Sequence, residues 1–280
     1  MYREARGGPA YRTELRPRIL LAEMPSEMPS ERALICAVDL QKSFGHLRAV
    51  NGVSVRVSKG EVVGFLGPNG AGKTTTMRML TGFLDPTEGT VTMNGYSLAD
   101  DPIGARKSFG YLPEGAPAYP DMTVREYLRF IAAARGMSGS ESAAGIASVV
   151  SRVHLQGVLD QVIETLSKGF KRRVGIAQAI IHDPPILIMD EPTDGLDPNQ
   201  KHEVRQLIRA MGSTKAIVLS THILEEVEAV CSRAIVIAAG RVVFDGTPAV
   251  FEAMAPATVT RNRMDHVFRM LTASAAEVPA

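Results

Sequence analysis

The stretch Gly67-Pro68-Asn69-Gly70-Ala71-Gly72-Lys73-Thr74-Thr75 constrains the fold of this 280-residue chain more than any other. It satisfies G-x-x-x-x-G-K-[ST], a spacing whose chemistry asks for a strand before it and a helix after it. The glycines let successive backbone N–H groups turn inward with no Cβ in the way, which makes a nest for an anion. The helix that follows aims its positive N-terminal end at the same place. Lys73 supplies a full charge for β- and γ-phosphates, and the Thr74 hydroxyl is suited to Mg²⁺. The flanks agree: Glu61–Leu66 reads as a short buried strand and Thr76–Thr81 as a helix that stops at Gly82. Gly67 to Thr75 are therefore expected to hold a nucleotide triphosphate.

A phosphate loop alone names no chemistry. The second element is Ile186-Leu187-Ile188-Met189-Asp190-Glu191, four apolar residues ending in two carboxylates. The apolar run reads as a parallel strand buried on both faces, and open α/β sheets take their ligands at the carboxyl ends of such strands. Asp190 is then expected to hold Mg²⁺ through water. Glu191, one residue on, is placed to orient and deprotonate an attacking water, a role worth about 10²–10⁴-fold in rate.

Bulk properties narrow the alternatives. Apolar residues make up 45% and charged residues 22%, ordinary for a globular protein of one large domain or a core with a subdomain. A net charge of +1 gives no electrostatic reason to expect a nucleic acid or an anionic membrane face as the main partner. Cys36 and Cys231 make neither a disulfide framework nor a zinc site, which suits a reducing compartment. No run approaches the roughly 18–20 apolar residues that span a bilayer, so any role at a membrane runs through another chain.

Residues 1–31, with five Arg, four Pro and Met-Pro-Ser twice, read as a disordered tail or as sequence upstream of a true start at Met24 or Met28. A domain over residues 32–255 follows. Ala33–Leu40, Val50–Val57 and Gly89–Met93 read as strands, the last running into the turn pair Asn94-Gly95. Residues 113–166 turn helical: Thr123-Val124-Arg125-Glu126 is a capping box, Gly136–Ser142 a polar break, and Ile146–Leu159 resumes helical spacing. Asp197 caps a helix with Pro198 at its first position and Gln200 at its third, its inner face lined by Val204, Leu207, Ile208 and Met211. Ala216–Ser220 is a strand, followed by a helix from about His222. Ala234–Ala238 and Val242–Phe244 form a hairpin around Ala239-Gly240-Arg241. Residues 256–280 read as a tail with a short helix around Asp265–Leu271.

With these elements in place the chain resembles the ATP-binding subunit of an ABC transporter, over about Ile35 to Phe251. The resemblance implies an α/β fold: a P-loop NTPase core with a mostly parallel sheet, an antiparallel β-subdomain, and an inserted α-helical subdomain at about 113–166. Phe44, on its own a core aromatic, falls where the family stacks an aromatic on adenine. Gly110-Tyr111-Leu112-Pro113-Glu114 occupies the loop that senses Mg²⁺ and the γ-phosphate. Glu114 stands there in place of the usual Gln; it can still ligate Mg²⁺ but brings a charge toward phosphate oxygens. Leu166-Ser167-Lys168-Gly169-Phe170 occupies the signature motif, with Lys168 and Phe170 replacing Gly and Gln. Ser167 and Gly169, the members that meet the nucleotide of the opposite subunit, remain. Asp194-Gly195-Leu196-Asp197 matches the loop that crosses between paired sites, with Asp197 its carried-over member, and His222 matches the switch histidine on the γ-phosphate.

Carried over, the family's function is ATP hydrolysis in a sandwich dimer, with Lys73, Glu191 and His222 catalytic and Thr74, Asp190 and Glu114 around Mg²⁺. The dimer, of two such chains or of this one with another ATP-binding subunit, drives transport through separate transmembrane permease subunits from the cytoplasmic face of the membrane. The signature variant favours export, and no nucleic-acid partner is expected. The competing class is a soluble ABC-type ATPase. Chromosome-maintenance versions carry long heptad coiled coils between loop and signature, and the roughly 90 residues here hold none. Translation-factor versions carry two such domains in one chain, whereas this one has a single set of motifs. A non-hydrolysing nucleotide sensor is a third reading, resting on Glu114 alone.

Other residues read as structural. His154, His182, His202 and His266 lack partners at metal-ligand spacing and suit surface or helix-end roles. Met77 and Met79 suit core filling. Lys168, Lys171, Arg172 and Arg173 read as a solvated basic face. Deleting residues 1–23 is expected to leave ATP turnover intact in a steady-state assay; a drop in turnover would give that segment a part in catalysis.

Overall fold

The computed structural model describes residues 33–276; the expectations for residues 1–31, including the start at Met24 or Met28, and for the last four residues lie outside them. β1 (Ile35–Phe44) and β2 (Leu47–Val57) form a long hairpin, and β3 (Val62–Leu66) leads through the glycine-rich loop into α1 (Lys73–Leu80). β4 (Glu88–Met93) and β5 (Tyr96–Ser97) are joined at Asn94 and Gly95, whose φ of 50° and 85° suit the positive-φ turn expected of that pair. Next come α2 (Pro102–Lys107), β6 (Phe109–Leu112), α3 (Val124–Ala134), α4 (Gly139–Arg152) and α5 (Lys168–Ile180). The chain then alternates through β7 (Ile186–Asp190), α6 (Pro198–Gly212), β8 (Ala216–Thr221), α7 (Leu224–Val230) and β9 (Arg233–Ala238). It ends with β10 (Arg241–Gly246), α8 (Pro248–Ala253) and α9 (Arg263–Ala276).

Two sheets result. An antiparallel one runs β2-β1-β4-β5, and a six-stranded one runs β10-β9-β3-β8-β7-β6, parallel throughout except for β10 at its edge. Side chains alternate across the larger sheet, as the two-residue period of a strand requires. Ile186 and Ile188 join Val63, Phe65, Val218 and Ile237 on the face covered by α1 and the antiparallel sheet. Leu187 and Met189 join Leu219 and Val236 on the face covered by the later helices. Burial on both sides explains why β7 and β8 read as unbroken apolar runs. This is the α/β architecture with a mostly parallel sheet that the family resemblance implied.

Local signals differ from expectation in four places. The polar break is shorter than Gly136–Ser142, because Ser138 and Glu141 form a second capping box and α4 starts at Gly139. The same helix stops at Arg152 and does not run to Leu159; His154 follows in the left-handed region with φ of 54°. α7 begins at Leu224, two residues after His222. The segment after Ala255 is no loose tail: α9 buries Met264 and Val267 in the helical side of the core. Arg263 fixes the approach by donating to the carbonyls of Ala255 and Val259, both at 2.9 Å.

α8 anchors this end through Phe251, fully buried with its ring centroid 4.8 Å from that of Phe244. Truncation to Phe251→Ala is expected to cost about 3–5 kcal/mol of stability in urea unfolding. A variant as stable as the parent would show that α8 and α9 lie outside the cooperative unit.

Candidate functional site

Between β3 and α1 the loop has the shape its glycines allow. Gly72 sits at φ of 103°, and a Cβ there would come 2.6 Å from the Ala49 carbonyl oxygen, so no other residue fits. Gly72 is the N-cap of α1 and offers no side-chain cap, and the first turn holds no acidic residue. Its first N–H groups are thus left for an anion. Lys73 is buried and folds over the loop, donating to the carbonyls of Gly67 at 2.7 Å and Pro68 at 3.1 Å. Burial holds its ammonium below the usual lysine range, against the opposing pull of Glu191, Asp190 and Glu114. All three carboxylates act on the charge of this lysine.

The parallel register brings them there. Asp190, the last residue of β7, pairs with Ser220 of β8. Its Oδ1 accepts from the Ser220 hydroxyl, while Oδ2 is buried with no partner. A buried carboxylate oxygen with an open lone pair beside a phosphate loop is a fitting place for a hard cation. Asp190 and the half-buried Thr74 hydroxyl fit Mg²⁺. Glu114 is exposed on the loop after β6, near enough for its charge to act on Lys73. Among the described residues no group of three or more His, Cys, Asp or Glu is arranged to hold a metal alone.

Glu191 adopts φ of 50°, a left-handed conformation that costs a non-glycine residue about 1–3 kcal/mol and that persists only where the surroundings impose it. Its N–H donates to the Ser220 carbonyl and hydroxyl oxygens at 3.2 and 3.1 Å. The carboxylate meets His222 Nδ1 at 2.9–3.0 Å. Glu191 and His222, 31 residues apart in sequence, thus form a pair at the mouth of the loop.

The outer members vary in accessibility. Phe44 is 49% exposed at the end of β1 with the Lys42 ammonium 5.5 Å from its ring, so it is no core aromatic. Ser167 caps α5 and is exposed. Gly169 is covered instead: a Cβ there would lie 2.4 Å from Gln200 Oε1, because Gln200 reaches back to the Asp197 N–H and lies across it. Asp197 is exposed and caps α6 through the N–H groups of Asn199 and Gln200.

The basic run on α5 is a solvated face only in part: Lys168 is exposed and Lys171 half-buried, but the two arginines turn inward. Arg172 is only 5% exposed, with Nη2 4.0 Å from Asp194 and Nη1 buried without a partner. Arg173 pairs with Glu203 at 2.7 Å. The cause is the position of α5, packed between β6 and the other helices, which leaves it little free surface. His182 departs from a surface role too, with both ring nitrogens buried and unpartnered; burial, with the Arg135 charge, pushes it down to about 4 and keeps it neutral. His154, His202 and His266 are exposed as expected. Sequence reasoning does not reach the part played by Ser220, Thr193 and Glu226: Ser220 ends an apolar run, while Thr193 and Glu226 sit among other polar residues that hide them.

Against known proteins, the family model described as ABC transporter matches residues 50–194. Nod factor export ATP-binding protein I of Paraburkholderia xenovorans (strain LB400) is 40% identical over 210 residues, 75% of this chain and 69% of that protein. The chain belongs to the ABC transporter family. A solved ATP-binding subunit of an ABC transporter superposes with a TM-score of 0.78 at 32% identity, covering 85% of this chain and 99% of that one. A dimeric bacterial ABC transporter cassette gives 0.71 at 25% identity, covering 76% and 98%. This ABC chain is an ATP-binding subunit with ATPase activity, of a kind that dimerises and works with membrane subunits. Among the described residues no helix is long and apolar enough to cross a membrane.

Phe44→Ala is expected to weaken ATP binding by about 1–3 kcal/mol, the usual worth of one base–aromatic stack, without changing thermal unfolding. Equal affinity by calorimetry would remove that ring from the site.

Proposed function

We propose that this chain powers an exporter, and that Glu191 and His222 carry out hydrolysis at its phosphate loop. The observation that carries the reading is the Glu191–His222 pair, held beside an open Asp190 oxygen and an uncapped α1. ATP lies with its phosphates on the N–H groups of Gly67–Thr75 and Lys73, and its adenine on Phe44. Asp190, Thr74 and Glu114 would hold Mg²⁺, which would supply positive charge to offset that of the phosphates. Glu191 orients a water in line with the γ-phosphorus and accepts its proton as the new P–O bond forms and the β–γ bridging bond breaks. His222, held by Glu191, donates to the γ-phosphate.

The partner half of the site comes from a second ATP-binding subunit, identical or related. Its Ser167 and the N-terminal end of its α5 face the γ-phosphate, and residues Asp194–Asp197 run along the seam. Gly169 joins them only once Gln200 has moved aside. Residues 113–166 act as the helical subdomain that meets separate membrane permeases at the cytoplasmic face. Tyr119 and Phe130, exposed and edge-to-face at 5.3 Å, offer an apolar contact beside the Glu114 loop. Export is supported by the 40% identity to a Nod factor export ATP-binding protein.

Glu191→Gln keeps the shape of the side chain but removes the base. It is expected to retain ATP affinity, lose turnover by about 10²–10⁴-fold, and accumulate a dimer in light scattering with Mg-ATP. Wild-type turnover in this variant would exclude Glu191 as the base.

A further inference from the structure

Glu226 lies in α7, outside the motifs of the phosphate loop, and its carboxylate is almost fully buried at 2% exposure. Burying a carboxylate is unfavourable unless donors surround it, and here they come from three separate elements. Oε1 accepts from the Thr193 hydroxyl, and Oε2 accepts from the Thr221 hydroxyl at 2.7 Å. Arg205 Nη2, on α6, stands 3.8 Å from Oε1. Thr221 in turn accepts from the Ile223 N–H at 3.0 Å, so its hydroxyl is fixed on both sides.

The sequence positions of the two threonines give this cluster its meaning. Thr193 follows Glu191 by two residues, and Thr221 immediately precedes His222. One carboxylate thus bridges the two backbone segments that present the Glu191–His222 pair. Glu191 needs such support, because its positive φ persists only where neighbours hold both flanks. Ser220 holds the N–H side. The Thr193–Glu226 bond holds the other. Arg205 extends the frame to α6, the helix that Asp197 caps.

We infer that Glu226 is a positioning residue for hydrolysis, a buried brace that keeps Glu191 and His222 in reacting geometry while touching neither nucleotide nor water. The inference rests on the assignment of Glu191 and His222 to hydrolysis. Thr193 and Thr221 are the brace's two arms. Since both arms serve one geometry, losing either releases the pair, and losing the second adds little.

The test measures ATPase kcat and KM, ATP affinity by calorimetry and thermal unfolding on the full chain. Glu226→Leu is expected to lower kcat by about 10- to 100-fold, the cost of a misplaced reacting group, with ATP affinity unchanged. Glu226→Gln, whose amide can still bond one threonine, recovers part of that loss. Thr193→Val and Thr221→Val each lower kcat, and the double variant falls no further than the worse single one. These threonine variants carry the test should Glu226→Leu not fold. Wild-type kcat in folded Glu226→Leu would overturn the inference, as would losses in the threonine variants that multiply, or a change confined to KM. Glu191→Gln run alongside separates the two failures. If it is inactive while the Glu226 and threonine variants turn over normally, the brace is wrong and the assignment of Glu191 stands; if it turns over normally, that assignment itself fails.

Discussion

The parallel register that pairs Asp190 with Ser220 and Leu66 with Thr221 sets the arrangement of the nucleotide end. It brings the ends of β3, β7 and β8 to one level, so that the phosphate loop, the two carboxylates and His222 emerge side by side. A slip of one residue between β7 and β8 would turn Asp190 away from the loop and expose Leu187 and Met189 to the wrong layer. The register is secured by that second consequence. Both faces of these strands are buried, so the apolar core that stabilises the sheet also fixes where its polar ends fall.

Open hydrogen-bonding capacity is concentrated at the same end. Among the described residues, buried side-chain atoms without partners occur on Arg172, Asp190, Arg205 and His182. The first three surround the loops that follow β7 and β8. Native interiors leave few such atoms, because each forfeits the hydration it had in the unfolded chain. Here the cations are also short of full pairing: Arg172 reaches only Asp194 at 4.0 Å, and Arg205 only Glu226 at 3.8 Å. Asp190 is the member of this group beside the phosphate loop, where the proposed nucleotide site lies.

What could be read from the sequence was chemistry confined to a short stretch. Gly67–Thr75 states its own purpose, since each residue type there answers to one local demand. Asp197, Pro198 and Gln200 specify a helix start through contacts at most three residues apart, and the structure repeats them. Ser138 and Glu141 carry the same signal, overlooked because the surrounding glycine and serines read as a break. Arg172 was misplaced for a different reason. Charge on a helix reads as exposure only when one face is free, and the neighbours of α5 come from β6 and helices distant in sequence. Glu226 was beyond reach, because Thr193 lies 33 residues away and only the sheet brings them together. α9 was underestimated because its burial depends on β9 and β10, which give Val267 a surface to meet.

The Gln200 side chain has one further consequence. It closes the capping box of α6 and at the same time shields Gly169. Under the proposed docking, a sister molecule reaching this glycine would push the amide aside and undo half of a reciprocal cap, a change worth roughly 1 kcal/mol at a helix start. Docking of that kind would fray the same turn that borders the proposed seam. On that proposal the assembled pair would carry a small built-in bias toward coming apart, a useful property for a machine that must reset after every cycle.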